Sequence, residues 1–287
     1  MKNARCRFSC ATETGRSGVN LDLCGFKQVG TSAIGWVIDG VSPIVFRDKD
    51  WNTYYRFRDA GQVLKSYMEK SEWNSTSEQL RAIADEIRNS EASKLFLDGP
   101  FFLRPLFSVA VIRATWLPDN ACELEVALYG DCAVYVRNAG RTRCIEYRNL
   151  NTLKSLLERL FRLTRAILPA RVDDRLRKTV LATIRILQTW CGAFRVFSVQ
   201  RYYEPCVVER MLVREPTQVV AMSDGATWYA RESVKNLESL LTAAICEGPM
   251  CALALVRSSE DRNRGFGRFD DATILVGHVG RQQDGPL

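Results

Sequence analysis

The sequence predicts an α+β protein built as one domain, and three observations carry that reading. Short runs rich in Val, Ile and aromatic residues are interspersed with longer stretches of helical period. The short runs are bounded by Gly, Asp or Pro. No repeat or low-complexity linker divides the 287 residues, and 46% hydrophobic with 25% charged residues suits one sizeable core.

Strands are expected at 34–38, 107–116, 124–129, 133–137, 218–222 and 273–279. The strands at 124–129 and 133–137 are separated by Gly130, Asp131 and Cys132, which reads as a hairpin. Helices are expected at 59–70, 77–89, 152–168, 174–190 and 231–247. The third places Leu153, Leu156, Leu157, Leu160, Leu163 and Ile167 on one face. Pro169 stops it, Asp173 or Asp174 can cap the next helix, and Gly192 ends that one. The domain is thus expected over 1–280, with a helical insertion over about 150–192 and a disordered tail at 281–287.

The formal charge is +7, carried by 31 Arg and 9 Lys against 33 Asp+Glu. It is unevenly spread, with 15 Lys+Arg and only 4 Asp+Glu over residues 137–201. A basic surplus suits an anionic partner, whether nucleic acid or an acidic substrate, although a solvated helix face or coding bias gives the same count. The single histidine, His278, excludes multi-histidine metal sites and leaves at most one base for a Ser-His or Cys-His mechanism. It lies in an alternating segment and reads as a structural or surface residue.

The ten cysteines include no C-x-x-C pair and read as buried, reduced thiols. No apolar segment follows the basic N-terminus, and no run approaches the ~18 residues of a membrane span. A cytoplasmic protein without a membrane partner is expected. Cys10 with Arg16 and Cys251 with Arg257 match the C-x5-R spacing of a phosphate-cradling thiol loop, a match that chance supplies in so Arg-rich a chain. The second segment is apolar and reads as buried. Ser42 and Ser223 lack a base partner, and Trp51, Tyr54, Tyr55, Phe57 and Trp73 read mainly as helix core, with a few near the cleft.

The informative pattern is where aspartates meet strands. The run 34–38 enters Asp39-Gly40, 124–129 enters Gly130-Asp131, and 219–222 enters Ser223-Asp224-Gly225. Asp270-Asp271-Ala272-Thr273 opens the last strand. Any one of these is an ordinary turn, as Asp98-Gly99 is taken to be. Four strand ends meeting at one sheet edge would instead gather carboxylates, and oxygen donors of that kind suit a hard divalent cation such as Mg²⁺ or Mn²⁺.

In order and spacing these turns resemble the motifs of the PP2C-type (PPM) metal-dependent Ser/Thr protein phosphatases. Ile38-Asp39-Gly40 is similar to the family's first aspartate-glycine motif, Gly130-Asp131-Cys132 to its Gly-Asp-Ser, Ser223-Asp224-Gly225 to its Ser-Asp-Gly, and Asp270-Asp271 to its Asp-Asn. Asn20-Leu21-Asp22 resembles its Asn-Glu-Asp, with Leu21 in place of the Glu, and Val41-Ser42-Pro43 departs from the loop usual after the first motif. The resemblance implies a β-sandwich flanked by helices, with two Mn²⁺ or Mg²⁺ ions at one end and a third, weaker site. It implies Asp39, Gly40, Asp224 and Asp270 as the ligands, with Asp39, Asp224 and Asp270 central to catalysis. Asp131 would serve the third ion, Asp22 would stand in for the missing Glu, and Arg16 would hold phosphate.

The activity so implied is hydrolysis of phosphoserine or phosphothreonine in a protein substrate, with a cognate Ser/Thr kinase as a partner. The basic helices bearing Arg159, Arg162 and Arg165 would dock that substrate. The alternatives are a catalytically weak sensor or scaffold of the same fold and, last, nucleic-acid binding.

Overall fold

The structure, a computed structural model, describes residues 6–15, 18–41, 51–100, 103–119, 121–147, 176, 179, 195–202, 204–262 and 271–280. In chain order its elements begin with β1 (Arg7–Glu13), β2 (Leu23–Val29), β3 (Ser32–Gly40), α1 (Trp51–Lys70), α2 (Thr76–Arg88) and the short α3 (Ser93–Leu97). Then come β4 (Phe107–Trp116), β5 (Cys122–Tyr129), β6 (Ala133–Asn138), β7 (Arg141–Glu146), β8 (Val207–Val213) and β9 (Thr217–Met222). The C-terminal part holds α4 (Asp224–Glu232), α5 (Val234–Thr242), a π-helical turn (Ala243–Glu247), α6 (Pro249–Arg262) and β10 (Ala272–Val279).

The strands form two five-stranded sheets, ordered β1-β10-β9-β6-β7 and β2-β3-β4-β5-β8. Every pairing is antiparallel. The period-2 alternation of β3 explains the layering. Val37 faces inward with Ile112, Leu124 and Val126, against Val134, Val219, Ala221 and Leu275 of the other sheet. Ile34, Trp36 and Ile38 face outward and are covered by Leu64 and Met68 of α1 and Leu80 and Ile83 of α2. On the opposite side, Val220, Ile274 and Val276 are covered by Tyr229 of α4, Leu240 of α5 and Leu253 and Val256 of α6. The result is a helix–sheet–sheet–helix sandwich, the α+β architecture expected. Each large apolar side chain so buried contributes about 1.5–3 kcal/mol. Trp36 stacks on Trp73, with centroids 6.4 Å apart and planes at 12°, and Trp73 Nε1 donates to the Met68 carbonyl at 3.1 Å.

Several expectations are corrected. The 124–129 and 133–137 strands are not a hairpin, because β5 pairs with β4 and β8 while β6 pairs with β7 and β9. The turn between them crosses from one sheet to the other, with Gly130 at φ +69° and Cys132 buried in the layer between the sheets. The single helix expected at 231–247 is two helices and a π-helical turn. It breaks at Ser233, whose extended backbone and hydroxyl, accepting from Asn236 N, cap α5. The first helix starts at Trp51 rather than 59. The Cys251–Arg257 segment is not wholly buried: it lies on α6 with Cys251 exposed and Ala252, Leu253 and Val256 inward, and a helical thiol there has no phosphate-cradling loop. Cys144 and Cys246 are exposed too, so the thiols are not uniformly buried. Trp51 and Tyr55 are exposed, whereas Phe57 and Trp73 are core. The helices expected at 152–168 and 174–190 and the tail at 281–287 lie outside the described residues.

Candidate metal centre

The strand registers bring the acidic turns to one end of the sandwich. Gly40 at the end of β3 pairs with Phe107 at the start of β4, and Leu23 at the start of β2 pairs with Ile38. In the other sheet, Met222 at the end of β9 pairs with both Ala133 at the start of β6 and Ile274 near the start of β10. The segments that leave or enter these strands carry Asp22, Asp39, Asp131, Asp224 and Asp271.

Asp39 shares the inward face of β3 with Val37, so its buried carboxylate caps the intersheet core. The amide of Asp224, first residue of α4, donates to Asp39 Oδ2 at 3.3 Å, joining positions 185 apart in sequence. The N-terminus of α4 thus meets an anion, the favourable sense for a helix dipole. Asp131 is held by Ser108, which pairs with Asp39 across β3 and β4: Ser108 Oγ donates to Asp131 Oδ1 at 2.5 Å. Gly130 fits only as glycine, since its φ is +69° and a Cβ there would overlap the Ser108 side chain.

Cys132 reports the field at this end. Its thiol is driven well above the usual range, first by complete burial and then by the carboxylates of Asp39, Asp131, Asp22 and Asp224. Four of the five described acidic candidates therefore act on one buried atom.

Asp271 has a different task. Its carboxylate accepts from Gly15 N at 2.7 Å and from Leu21 N at 2.6 Å, fastening the loop before β2 to the start of β10. Burial pushes its pKa up, and the two amides pull it back. Next to it, Thr273 N donates to Ser223 Oγ at 2.9 Å and Ser223 N to the Thr273 carbonyl at 3.1 Å. A Cβ on Gly225 would overlap the Asp271 carbonyl oxygen, so the helix start and the strand start touch backbone to backbone. Leu21 packs its side chain with Val19 and Phe57, and Asp22 beside it is buried with its N–H on Asn20 Oδ1.

The structure therefore brings together Asp22, Asp39, Gly40, Asp131 and Asp224. Asp270, Arg16, Arg159, Arg162, Arg165 and Ser42 lie outside the described residues. Among the described residues no three His, Cys, Asp or Glu side chains form a set able to hold an ion by themselves. The donors of Asp39, Gly40 and Asp224 are all oxygen, and the contact between Asp39 and Asp224 places two carboxylate-bearing residues side by side, which fits a hard divalent cation in donor chemistry. Ser108 and the clasp made by Asp271 were not anticipated. A serine near the start of an otherwise apolar strand and a doubled aspartate were the only signals in the sequence. His278 is partly exposed on β10, away from this end.

No protein-family model matches the chain, and no curated protein matches it. Solved structures do. The serine/threonine phosphatase PstP of Mycobacterium tuberculosis superposes with a TM-score of 0.55 at 15% identity, over 96% of this chain and 99% of that one. A PstP catalytic domain solved with two manganese ions gives 0.54 at 17% identity, over 96% and 99%. The PP2C phosphatase domain of SpoIIE from Bacillus subtilis, solved with a fragment of its regulatory domain, gives 0.54 at 11%, over 97% of this chain and 64% of that one. The chain has the fold of the PP2C-type catalytic domains. Among the described residues no helix is long and apolar enough to cross a membrane.

Proposed function

We propose that the chain is a metal-dependent protein phosphatase acting on phosphoserine or phosphothreonine. The observation that carries this is the gathering of Asp22, Asp39, Asp131 and Asp224 around Cys132 at one end of a PP2C-type sandwich. Asp39 and the Gly40 carbonyl would hold one pair of Mn²⁺ or Mg²⁺ ions in common with Asp224 and Asp270. Asp131 would serve a weaker third site and Asp22 would take the part of the glutamate replaced by Leu21. When bound, the ions supply a water acidified toward neutral pH and offset charge on the phosphoryl oxygens. The chain's own contribution is positional. Ser108 orients Asp131, the Asp224 amide orients Asp39, and Asp271 fixes the loop that presents Asp22. Arg16 would grip phosphate, and Arg159, Arg162 and Arg165 would dock an acidic phosphoprotein.

The test is Mn²⁺-dependent hydrolysis of a phosphothreonine peptide by the wild type and by Asp39→Ala and Asp224→Ala. Loss of at least a hundredfold in both variants is expected; equal rates in all three would end the metal reading. The buried apolar cluster holding Leu21 favours a second reading, a PP2C-like binding module with little turnover. An inactive wild type that still binds Mn²⁺ through Asp39 selects that reading. A rise in KM for a phosphoprotein but not for an aryl phosphate, on neutralising the three arginines, supports the docking role.

A further inference from the structure

We infer that the chain pairs with a second copy of itself through β8, strand against antiparallel strand across a two-fold axis at Arg210, so that two five-stranded sheets join into one. The pairing is independent of the phosphatase reading. β8 stands at the end of its sheet, with β5 as its neighbour. Its side chains alternate. Val207, Met211 and Val213 turn to the intersheet core, and Val208, Arg210 and Leu212 to the outer face. Farther in, α1 and α2 cover that face. The cover stops one strand short: the Thr76 amide at the start of α2 donates to Glu125 of β5 at 3.4 Å. Beyond it Val208 is 46% and Leu212 54% exposed. Among the described residues no other edge strand leaves two large apolar side chains in solvent. An edge of this kind is a template for another strand.

The pattern of β8 complements itself. With Arg210 on the axis, Val208 meets Leu212 of the second copy on the outer face, and Val207 meets Val213 of the second copy on the inner face, each pair occurring twice. Glu209, which then faces Met211, is already held by Arg143 of β7 at 2.5 Å. The one meeting of like charges, Arg210 with its counterpart, falls where carboxylates gather. Arg210 Nη2 donates to Glu125 Oε1 at 2.9 Å, and Glu123 and Glu78 add to the attraction. The two guanidinium groups at the axis are thus flanked on both sides by glutamates.

The other edges serve less well. β2 exposes Phe26, but β1 crosses it with Cα atoms within 8 Å, and a contact of β8 with β2 would run head to tail and grow without closing. β7 offers solvent Arg141, Arg143 and Cys144 instead of an apolar row. Pairing β8 with β8 uses one patch twice and closes. A seven-residue strand spans ~24 Å, so the seam buries on the order of 1,000 Å² in total, the size of a weak, reversible interface.

The test is sedimentation velocity of the full chain across the micromolar range. A monomer–dimer equilibrium with no larger species is expected. Leu212→Lys should weaken association at least tenfold, because a charge is excluded from an apolar seam, and Phe26→Lys should leave it unchanged. Both side chains are more than half exposed, so the variants should fold, which circular dichroism checks. Arg210→Cys reads the register: mild oxidation should link the peptide bearing position 210 to its own counterpart, and dithiothreitol should reopen the link. A wild type that stays monomeric at every concentration would overturn the inference and leave β8 to a different protein. So would a dimer that survives Leu212→Lys, a ladder of larger species, or a dimer in which position 210 does not link to itself.

Discussion

Replacing Gly225 by alanine sets two physical effects against each other. Gly225 is the second residue of α4, and by helix propensity alone alanine should stabilise the protein by about 1 kcal/mol. The structure predicts the opposite. The added Cβ would overlap the Asp271 carbonyl oxygen and crowd the Ala272 Cα at 3.3 Å, and these are backbone atoms that cannot swing aside. Overpacking of this kind costs about 1–3 kcal/mol, and with backbone on both sides the upper end applies. Net destabilisation of about 2 kcal/mol follows, a fall in Tm of roughly 3 °C for a chain of this size. Thermal unfolding of wild type and Gly225→Ala, followed by circular dichroism, measures it. A Tm that is unchanged or raised would refute the close contact and with it the placement of α4 against β10.

The buried Glu125 is 3% exposed and binds Arg113 at 3.6 Å and Arg210 at 2.9 Å. Glu125→Ala should cost about 3–5 kcal/mol by stripping the largely buried Arg113 of this carboxylate, whereas Arg210→Ala, on a side chain 61% exposed, should cost under ~1 kcal/mol; chemical denaturation of the two variants gives the ratio. Partial burial lowers the pKa of His278, so the folded state disfavours its protonation. Stability from this group is present above the unfolded value of 6.5 and is lost as pH falls through the lower folded value. As the chain's single histidine it gives one titrating imidazole, and the NMR midpoint shared by its ring-carbon protons should lie below 6.5. Removing the carboxylate clasp by Asp271→Ala frees the Gly15 and Leu21 amides, and hydrogen exchange at these two sites should rise at least tenfold while that of β9 is unchanged.

The central strands were legible because each is buried on both faces and spells an apolar run, as 34–38 and 107–116 do. The strands β1, β2, β7 and β8 escaped notice. Each lies at a sheet edge and half of its side chains face solvent or a thin cover, so RFSCATE and RTRCIE carry no run to see. The destination of a turn is likewise not local information. Gly130-Asp131 has the chemistry of a hairpin, and only the pairing of β6 with β9 sends it across the sandwich. At the candidate centre the aspartates were visible because each interrupts an apolar run. Ser108 was hidden because its task depends on register, and Asp271 because its partners are 250 and more residues away.

That last separation has a consequence for how the protein is made. β1 and β10 lie side by side, so one sheet is incomplete until residues as distant in sequence as Arg7 and His278 have met. Contacts this distant in sequence are slow to form because loop-closure entropy must be overcome first. A chain emerging from the ribosome can assemble β2 to β5 with α1 and α2 while Asp39 and Asp131 still lack the Asp224 side of their cluster. The acidic end therefore cannot assemble before Asp224 has been made, and a polypeptide stopped before Asp271 would also lack the clasp that holds the loop before β2.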